Sequence, residues 1–334
     1  MDLVLLALLS IVVVVVDAGS EVNDVQLLMY ETDVTLKSIL AIQAFHIPGL
    51  TASIVGQGSK FEGFGSKYDA VIPQLRQFDP NTLVVLSDAR DVIINEPAHR
   101  EYSAEEINSI SAAVLQFRQQ FDYVTAEYPG AIILSAEAQC CVGALTYAKM
   151  GDYFHPDGSR KERACYSGHS PCLWNGDDKA LPWENYMKDL ALDRMGVGDD
   201  VFLNAGMIAG KAGDILRVFD MADFDVFEDD QAVLTDLMYV RPHEIILDYN
   251  QALFGNNRHS TNGCMFHKLT EDKRLIHSES GTTPLFIHSP GGFVSCHEGL
   301  AVKLGVELGG ADERKKLQAW KLTMNKDAAS ATTE

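Results

Sequence analysis

Short apolar runs that alternate with amphipathic stretches constrain this chain more than any other feature. Thr82–Leu86 (TLVVL) and Ala131–Ala136 (AIILSA) are continuous runs rich in Val, Leu and Ile. Runs this short and this apolar suit strands whose sheet is covered by helices on both faces. Val25–Tyr30 also reads as a strand, Leu36–Phe45 as a helix with Asp33 or Thr35 near its cap, and Ala52–Val55 as a short strand. Lys67–Gln77 follows as a helix with Ile72, Leu75 and Phe78 on one side. Ser103-Ala104-Glu105-Glu106 is a capping box, and the helix it starts carries Ile107, Ile110, Val114 and Phe117 at helical spacing. Regularity resumes at Val201–Gly210, with helices near Gly213–Met221 and across Gln231–Tyr239 and strands at Glu244–Asp248 and Pro284–His288. The order β-α-β-α-β predicts an α/β fold with a mainly parallel sheet.

Charge narrows the partners. Lys+Arg 27 against Asp+Glu 47 leaves a net charge of −20 over 334 residues. That balance repels polyanions, so it argues against nucleic acid and gives little attraction to an anionic membrane surface. An anionic ligand would need a local cation or a metal.

The ends and one interior stretch stand apart. Leu3 to Val16 is apolar except for Ser10 and is followed by Val16-Asp17-Ala18. It is shorter than the roughly 20 residues a bilayer span needs, but it suits a secretory signal or N-terminal anchor over residues 1–18, although no Lys or Arg precedes it. A secretory-pathway location, in the ER or Golgi lumen or outside the cell, is expected. The six cysteines, at 140, 141, 165, 172, 264 and 296, would allow disulfides there, with the pairing open. Residues 142–200 are irregular in pattern and read as an insertion within a domain spanning about 24–310, and residues 311–334 as a polar tail.

Open parallel sheets bind ligands beyond the carboxyl ends of their strands, so the residues after each apolar run matter most. Ser87-Asp88-Ala89-Arg90-Asp91 follows TLVVL and delivers two carboxylates three apart. Such a pair suits a hard cation with room left for phosphate oxygens, and it equally suits a turn with a helix cap. Phe227-Glu228-Asp229-Asp230-Gln231 is acidic at the start of a helix, where the dipole alone favours such residues. Pro284–His288 ends in a histidine followed by Ser289-Pro290-Gly291, and Asn204-Ala205-Gly206 is small enough for close backbone approach. Together these point to a metal-assisted site for a nucleotide diphosphate.

The ordered set Gly63-Phe64-Gly65-Ser66-Lys67, Leu86-Ser87-Asp88-Ala89-Arg90-Asp91-Val92, Leu134-Ser135-Ala136-Glu137, Phe202-Leu203-Asn204-Ala205-Gly206, Asp229-Asp230-Gln231 and Ile287-His288 resembles the glycosyltransferase domain of the procollagen lysyl hydroxylases. The resemblance covers about residues 25–290. It implies a GT-A fold, in which a Rossmann-like half joins an acceptor-binding half. It implies a UDP-sugar donor, UDP-galactose or UDP-glucose, held through Mn²⁺, and a hydroxylysine-like residue or a glycan as acceptor. By the same resemblance Asp88, Asp91 and His288 are the metal ligands. Lys67, Ser87, Arg90, Asn204, Gly206 and Gly291 fall at the donor, and Glu137, Asp229 and Asp230 at the sugar and acceptor. Arg90 stands where the family has an aromatic, Cys141 where it has a Trp, and Ser289-Pro290-Gly291 replaces its Gly-Asn-Gly turn. The alternative is an inactive domain of the same fold that binds a nucleotide sugar or a glycoprotein. A calcium-binding structural role finds no EF-hand loop in the sequence.

Overall fold

The computed structural model describes residues 24–32, 39–44, 47–138, 143–146, 148–161, 180–194, 198–257, 267–290 and 294–306. The N-terminal apolar run, Gly291, the tail 311–334 and the cysteines at 140, 141, 165, 172 and 264 lie outside these residues, as does the Cys296 side chain.

A six-stranded sheet in the order β2-β1-β3-β6-β5-β7 forms the centre. Its strands are β1 (Val25–Tyr30), β2 (Leu50–Val55), β3 (Leu83–Asp88), β5 (Ile132–Glu137), β6 (Phe202–Lys211) and β7 (Ile245–Asp248). β1 pairs in parallel with β2 and β3, and β5 with β7, while β6 runs antiparallel to both β3 and β5. The sheet is therefore mainly parallel, as expected, with one reversed strand inside it.

The pleat sorts each strand's side chains into two cores. Leu28, Val84, Leu86, Ile132 and Leu134 point to the face covered by α6 (Ala212–Ala222), α7 (Asp230–Val240) and α2 (Ser66–Leu75). Leu27, Met29, Val85, Ile133 and Ala209 point to the opposite face, where Val114, Phe117 and Phe121 of α4 (Ala112–Thr125) cover them. In α6, Ile215, Val218, Phe219 and Ala222 recur at helical spacing, and the helix stops at Asp223, whose φ of 43° is left-handed.

Two expectations need correction. The capping box at Ser103 is real, but its helix, α3 (Ala104–Ile107), lasts four residues, and a second start at Ser111 opens α4. The Ser111 hydroxyl accepts from Val114 N, so a new cap, not continuation, aligns Val114 and Phe117 with the core. Nor is the 142–200 stretch irregular throughout. Phe154 and, from α5 (Ala180–Asp193), Trp183 are fully buried in the larger core. The buried Asp236 carboxylate on α7 accepts from the amides of Gly151, Tyr153 and Phe154 and ties this stretch to the sheet domain.

A smaller sheet, β4-β11-β8, lies beyond the end of β3. β4 (Val92–Ile94) pairs antiparallel with β11 (Phe286–His288), which pairs in parallel with β8 (Phe254–Asn256). Helix α8 (Val294–Lys303) packs on it through Leu300 and Ala301, with Leu304 just after the helix, against Ile93 and Ile287. A hairpin of β9 (His267–Leu269) and β10 (Leu275–His277) completes this layer. Among the described residues no helix is long and apolar enough to cross a membrane.

Candidate metal and donor site

The site forms where the two sheets meet. β3 carries Ser87 and Asp88 to its carboxyl end, and after two residues Asp91 stands just before β4. Because β4 and β11 are antiparallel with Val92 opposite His288, Asp91 is delivered beside the histidine. Ser289 N donates to Asp91 O at 2.7 Å and locks that corner. One donor atom from each of Asp88, Asp91 and His288 lies within 4.8 Å of the others. His288 Nε2 stands 3.3 Å from Asp91 Oδ2.

Unsatisfied atoms converge here. Asp91 Oδ1 and both ring nitrogens of His288 are buried without a hydrogen-bond partner. Leaving such atoms unpaired costs about 1–3 kcal/mol each, and a cation held by one His288 nitrogen and the Asp91 carboxylate would relieve part of that cost. The His288 side chain is 2% exposed, whereas Asp91 and Asp88 keep 34% and 40%, so the trio is closed behind and open in front. Two carboxylates and an imidazole, with one open side, fit a divalent cation that retains places for oxygen ligands.

Gly206 makes room for the histidine. A Cβ there would come within 2.4 Å of His288 Cε1 and 2.8 Å of Nε2. A register shift between β5 and β6 lifts this segment: Leu134 faces Ile208, whereas Ser135 faces Asn204. Asn204 Oδ1 accepts from Gly206 N at 2.8 Å and holds the bulge. The small residues of Asn204-Ala205-Gly206 thus admit the imidazole, a protein group, where sequence reasoning expected only a ligand.

The second half of the site is built around Lys67. From the first turn of α2 its ammonium lies 2.5 Å from Asp230 Oδ2 and 3.9 Å from Asp88 Oδ1, and donates to Ala205 O at 3.0 Å. Tyr68 OH donates to the same Asp230 oxygen at 2.9 Å. Position 65 must be Gly, since a Cβ would strike Asp225 O at 1.9 Å; α2 therefore starts against the loop that leads to Asp230. At the end of β5, Glu137 accepts from Gln231 Nε2 at 2.8 Å. Lys67, Tyr30, Ser87, Asp88, Ala205 and Gly206 line a cleft between β1, β3 and β6.

Asp229 does what the capping alternative expects: its carboxylate accepts from Ala232 N at 3.1 Å and starts α7. The Arg90 side chain is 55% exposed, and its guanidinium grips the buried Glu31 carboxylate through two hydrogen bonds of 2.8 Å. Ser87 Oγ donates to the neighbouring Asp88 carbonyl.

Proton affinities follow from this packing. Burial pushes Asp88 up to about 6, opposed by Lys67 and reinforced by Asp91. Burial also opposes ionisation of Asp91, but the field of His288, whose Nε2 stands 3.3 Å from Oδ2, outweighs it and holds that carboxyl below the usual range. His288 is raised in turn: burial would lower it, and Asp91 and then Asp88 overcome that. Without a cation the corner is thus an Asp91–His288 ion pair next to an acid that titrates near 6. Burial, reinforced by Asp230, pushes Asp229 up to about 7, and burial raises Glu137.

Sequence reasoning missed His297 of α8, which is buried with both ring nitrogens unpaired and within the electrostatic reach of Asp91 and His288. Nothing in its sequence context, Ser295-Cys296-His297-Glu298, distinguishes it from an ordinary helical histidine.

No protein-family model matches the chain, and no curated protein matches it. Solved structures do. The galactosyltransferase LgtC, in complex with donor and acceptor sugar analogues, is similar at 10% identity over 87% of this chain and 99% of its own, with a TM-score of 0.38. Mouse xyloside xylosyltransferase 1, in its apo form, is similar at 7% identity over 80% and 97% respectively, TM-score 0.35. The bifunctional glycosyltransferase WbbM, also apo, is similar at 10% identity over 84% of this chain and 50% of that one, TM-score 0.35.

Proposed function

We propose that this chain is a metal-dependent glycosyltransferase of the GT-A type, which takes galactose or glucose from a UDP-sugar to a hydroxylated, hydroxylysine-like protein residue or a glycan. The observation that carries the reading is the convergence of Asp88, Asp91 and His288 at the carboxyl end of β3. The motifs shared with the procollagen lysyl hydroxylase glycosyltransferase domain support the same assignment of donor and acceptor. The N-terminal run supports a secretory-pathway location.

In this reading Asp88, Asp91 and His288 hold Mn²⁺, which supplies Lewis-acid stabilisation of the departing diphosphate. Lys67 adds a fixed positive charge beside it, and its two carboxylate partners keep that ammonium protonated in spite of burial. In a chain of net charge −20, this local cation offsets the repulsion an incoming UDP would meet. Asp230, pinned by Lys67 and Tyr68, presents a carboxylate in a fixed orientation to the sugar or the acceptor hydroxyl. Glu137, raised by burial and steadied by Gln231, is the second such group, and it can accept a proton from an attacking hydroxyl. Asp229 holds the start of α7 and thereby the direction of Asp230, and its affinity near neutrality suits an acid–base role as well. Arg90, gripped by Glu31, offers a flat guanidinium beside the donor.

The test is UDP release by the purified protein with a panel of UDP-sugars, in Mn²⁺ or in EDTA. Release that favours one sugar and vanishes with chelator supports the reading. Binding of a UDP-sugar without release, with acceptors supplied, would favour the inactive binding module. Neither binding nor release overturns both.

A further inference from the structure

The proposed reaction gives no role to His297, an ionisable side chain beside this corner. It sits on α8 one turn before Leu300 and Ala301, so it shares the helix face that packs on Ile93 and Ile287. On the facing chain Asp91 immediately precedes β4, whose Ile93 meets α8 in the same small core, and the Asp91 carbonyl is tied to Ser289 N just after β11. The helix and the strand therefore bring His297 and Asp91 toward one another. Both have buried, unpartnered polar atoms: Asp91 Oδ1 on one side and both imidazole nitrogens on the other. Each also acts electrostatically on the other. His297 does not join the close cluster of Asp88, Asp91 and His288, so it stands behind the ligand set.

We propose that His297 is a positioning residue of the metal centre: in the metal-loaded protein an imidazole N–H of His297, unpartnered here, closes on Asp91 Oδ1 and holds that carboxylate so that Oδ2, beside His288 Nε2, is aimed at the cation. The inference rests on the reading of Asp88, Asp91 and His288 as a metal site. Carboxylates that ligate metals are themselves commonly hydrogen-bonded, and loss of such a partner typically weakens affinity about 10- to 100-fold. The same contact would satisfy atoms that are otherwise stranded in a buried place, which gives the fold a reason to keep a polar ring under α8.

The experiment is titration of the full chain with Mn²⁺ alone, following the free ion by electron paramagnetic resonance, with no nucleotide present. His297→Phe fills the space without offering a donor, and His297→Gln restores one. The expected result is about 10- to 100-fold weaker binding in His297→Phe and recovery of most of that loss in His297→Gln. Pulsed measurements on the bound ion should show a single coordinated imidazole in the wild-type protein and in both variants. Unchanged affinity in His297→Phe overturns the proposal, as do equal losses in Phe and Gln variants that both remain folded by near-UV circular dichroism. Two coordinated imidazoles in the wild type would make His297 a ligand and overturn the outer role. Asp91→Ala separates the two levels: if it too leaves Mn²⁺ affinity unchanged, the metal reading itself fails. If it abolishes binding while His297→Phe does not, only this inference falls.

Discussion

Gly206 and His288 share a space that has no room for one more carbon. A Cβ at 206 would stand 2.4 Å from His288 Cε1, and the imidazole is enclosed by two sheets and cannot simply swing aside. Gly206→Ala should therefore displace the histidine and leave the sheet intact. Overpacking of this kind costs about 1–3 kcal/mol in stability. The larger effect should be a drop of at least about tenfold in Mn²⁺ affinity, since a metal ligand is fixed by what packs around it. Calorimetric Mn²⁺ titration alongside a urea melt checks both; unchanged affinity would show that His288 is not a ligand.

Lys67 bridges two carboxylates that otherwise repel, so the two partners should respond differently. Lys67→Met leaves Asp230 buried and uncompensated and should destabilise the protein by about 3–5 kcal/mol, read by urea denaturation. Asp230→Asn keeps the shape and the Tyr68 contact. It should spare Mn²⁺–UDP binding and lower sugar transfer at least about 100-fold, read by comparing calorimetry with turnover. Normal turnover in Asp230→Asn would remove it from the reacting groups.

Metal binding should strengthen as pH rises. Cation uptake requires an ionised Asp88, which titrates near 6, and a neutral His288, whose affinity for a proton is raised above the ordinary 6.5. Mn²⁺ affinity should climb from pH 5.5 to 8 with release of protons, and a flat profile would contradict the assignment.

Stability without metal should run the other way over part of that range. Asp229 and Asp88 are acids raised in the folded state, to about 7 and about 6. Their contribution is fully present below the unfolded value of 3.8 and is lost as pH rises through those folded values. Asp91 is lowered and contributes the opposite slope, but only at the acid end, below its unfolded value. Up to pH 6.5 the buried His267 and His297, lowered to about 3 and about 4, add stability as pH rises and oppose this loss. The melting temperature of the metal-free protein should therefore fall chiefly above pH 6.5, where the raised His288 also gives up its proton, and added Mn²⁺ should cancel that fall.

Asp236 offers a test away from the chemistry. Asp236→Ala strips an acceptor from the amides of Gly151, Tyr153 and Phe154. At roughly 1–3 kcal/mol per stranded donor, a loss of 3 kcal/mol or more is expected, with early proteolysis near residue 151. A variant as stable as wild type would mean that this stretch is anchored elsewhere.

Most of the central layer was legible in the sequence because its strands are buried on both faces. Leu83–Leu86 and Ile132–Ala136 had to be continuous apolar runs, and Asp88 and Asp91 stand out as charges at the end of one. The reversal of β6 was not legible, since a strand buried between two others looks the same in either direction. The break between α3 and α4 was hidden by Ile107 and Ile110, which keep helical spacing across Asn108–Ser111; the second serine cap at Ser111 was the available clue. The strands β4, β8, β9 and β10 are three residues each, too short to show a period. Without them the approach of α8 and His297 to Asp91 had no signal at all.

The pairing of β4 with β11 carries a temporal consequence. Asp88 and Asp91 precede His288 by roughly 200 residues, so the ribosome delivers them well before it. Contacts of such long sequence separation form late and slowly. A nascent polypeptide, or one truncated before β11, has the aspartates but not the third ligand. In the proposed reading a chain that still lacks β11 would hold a divalent cation poorly, so cation uptake would report that β4 and β11 have paired.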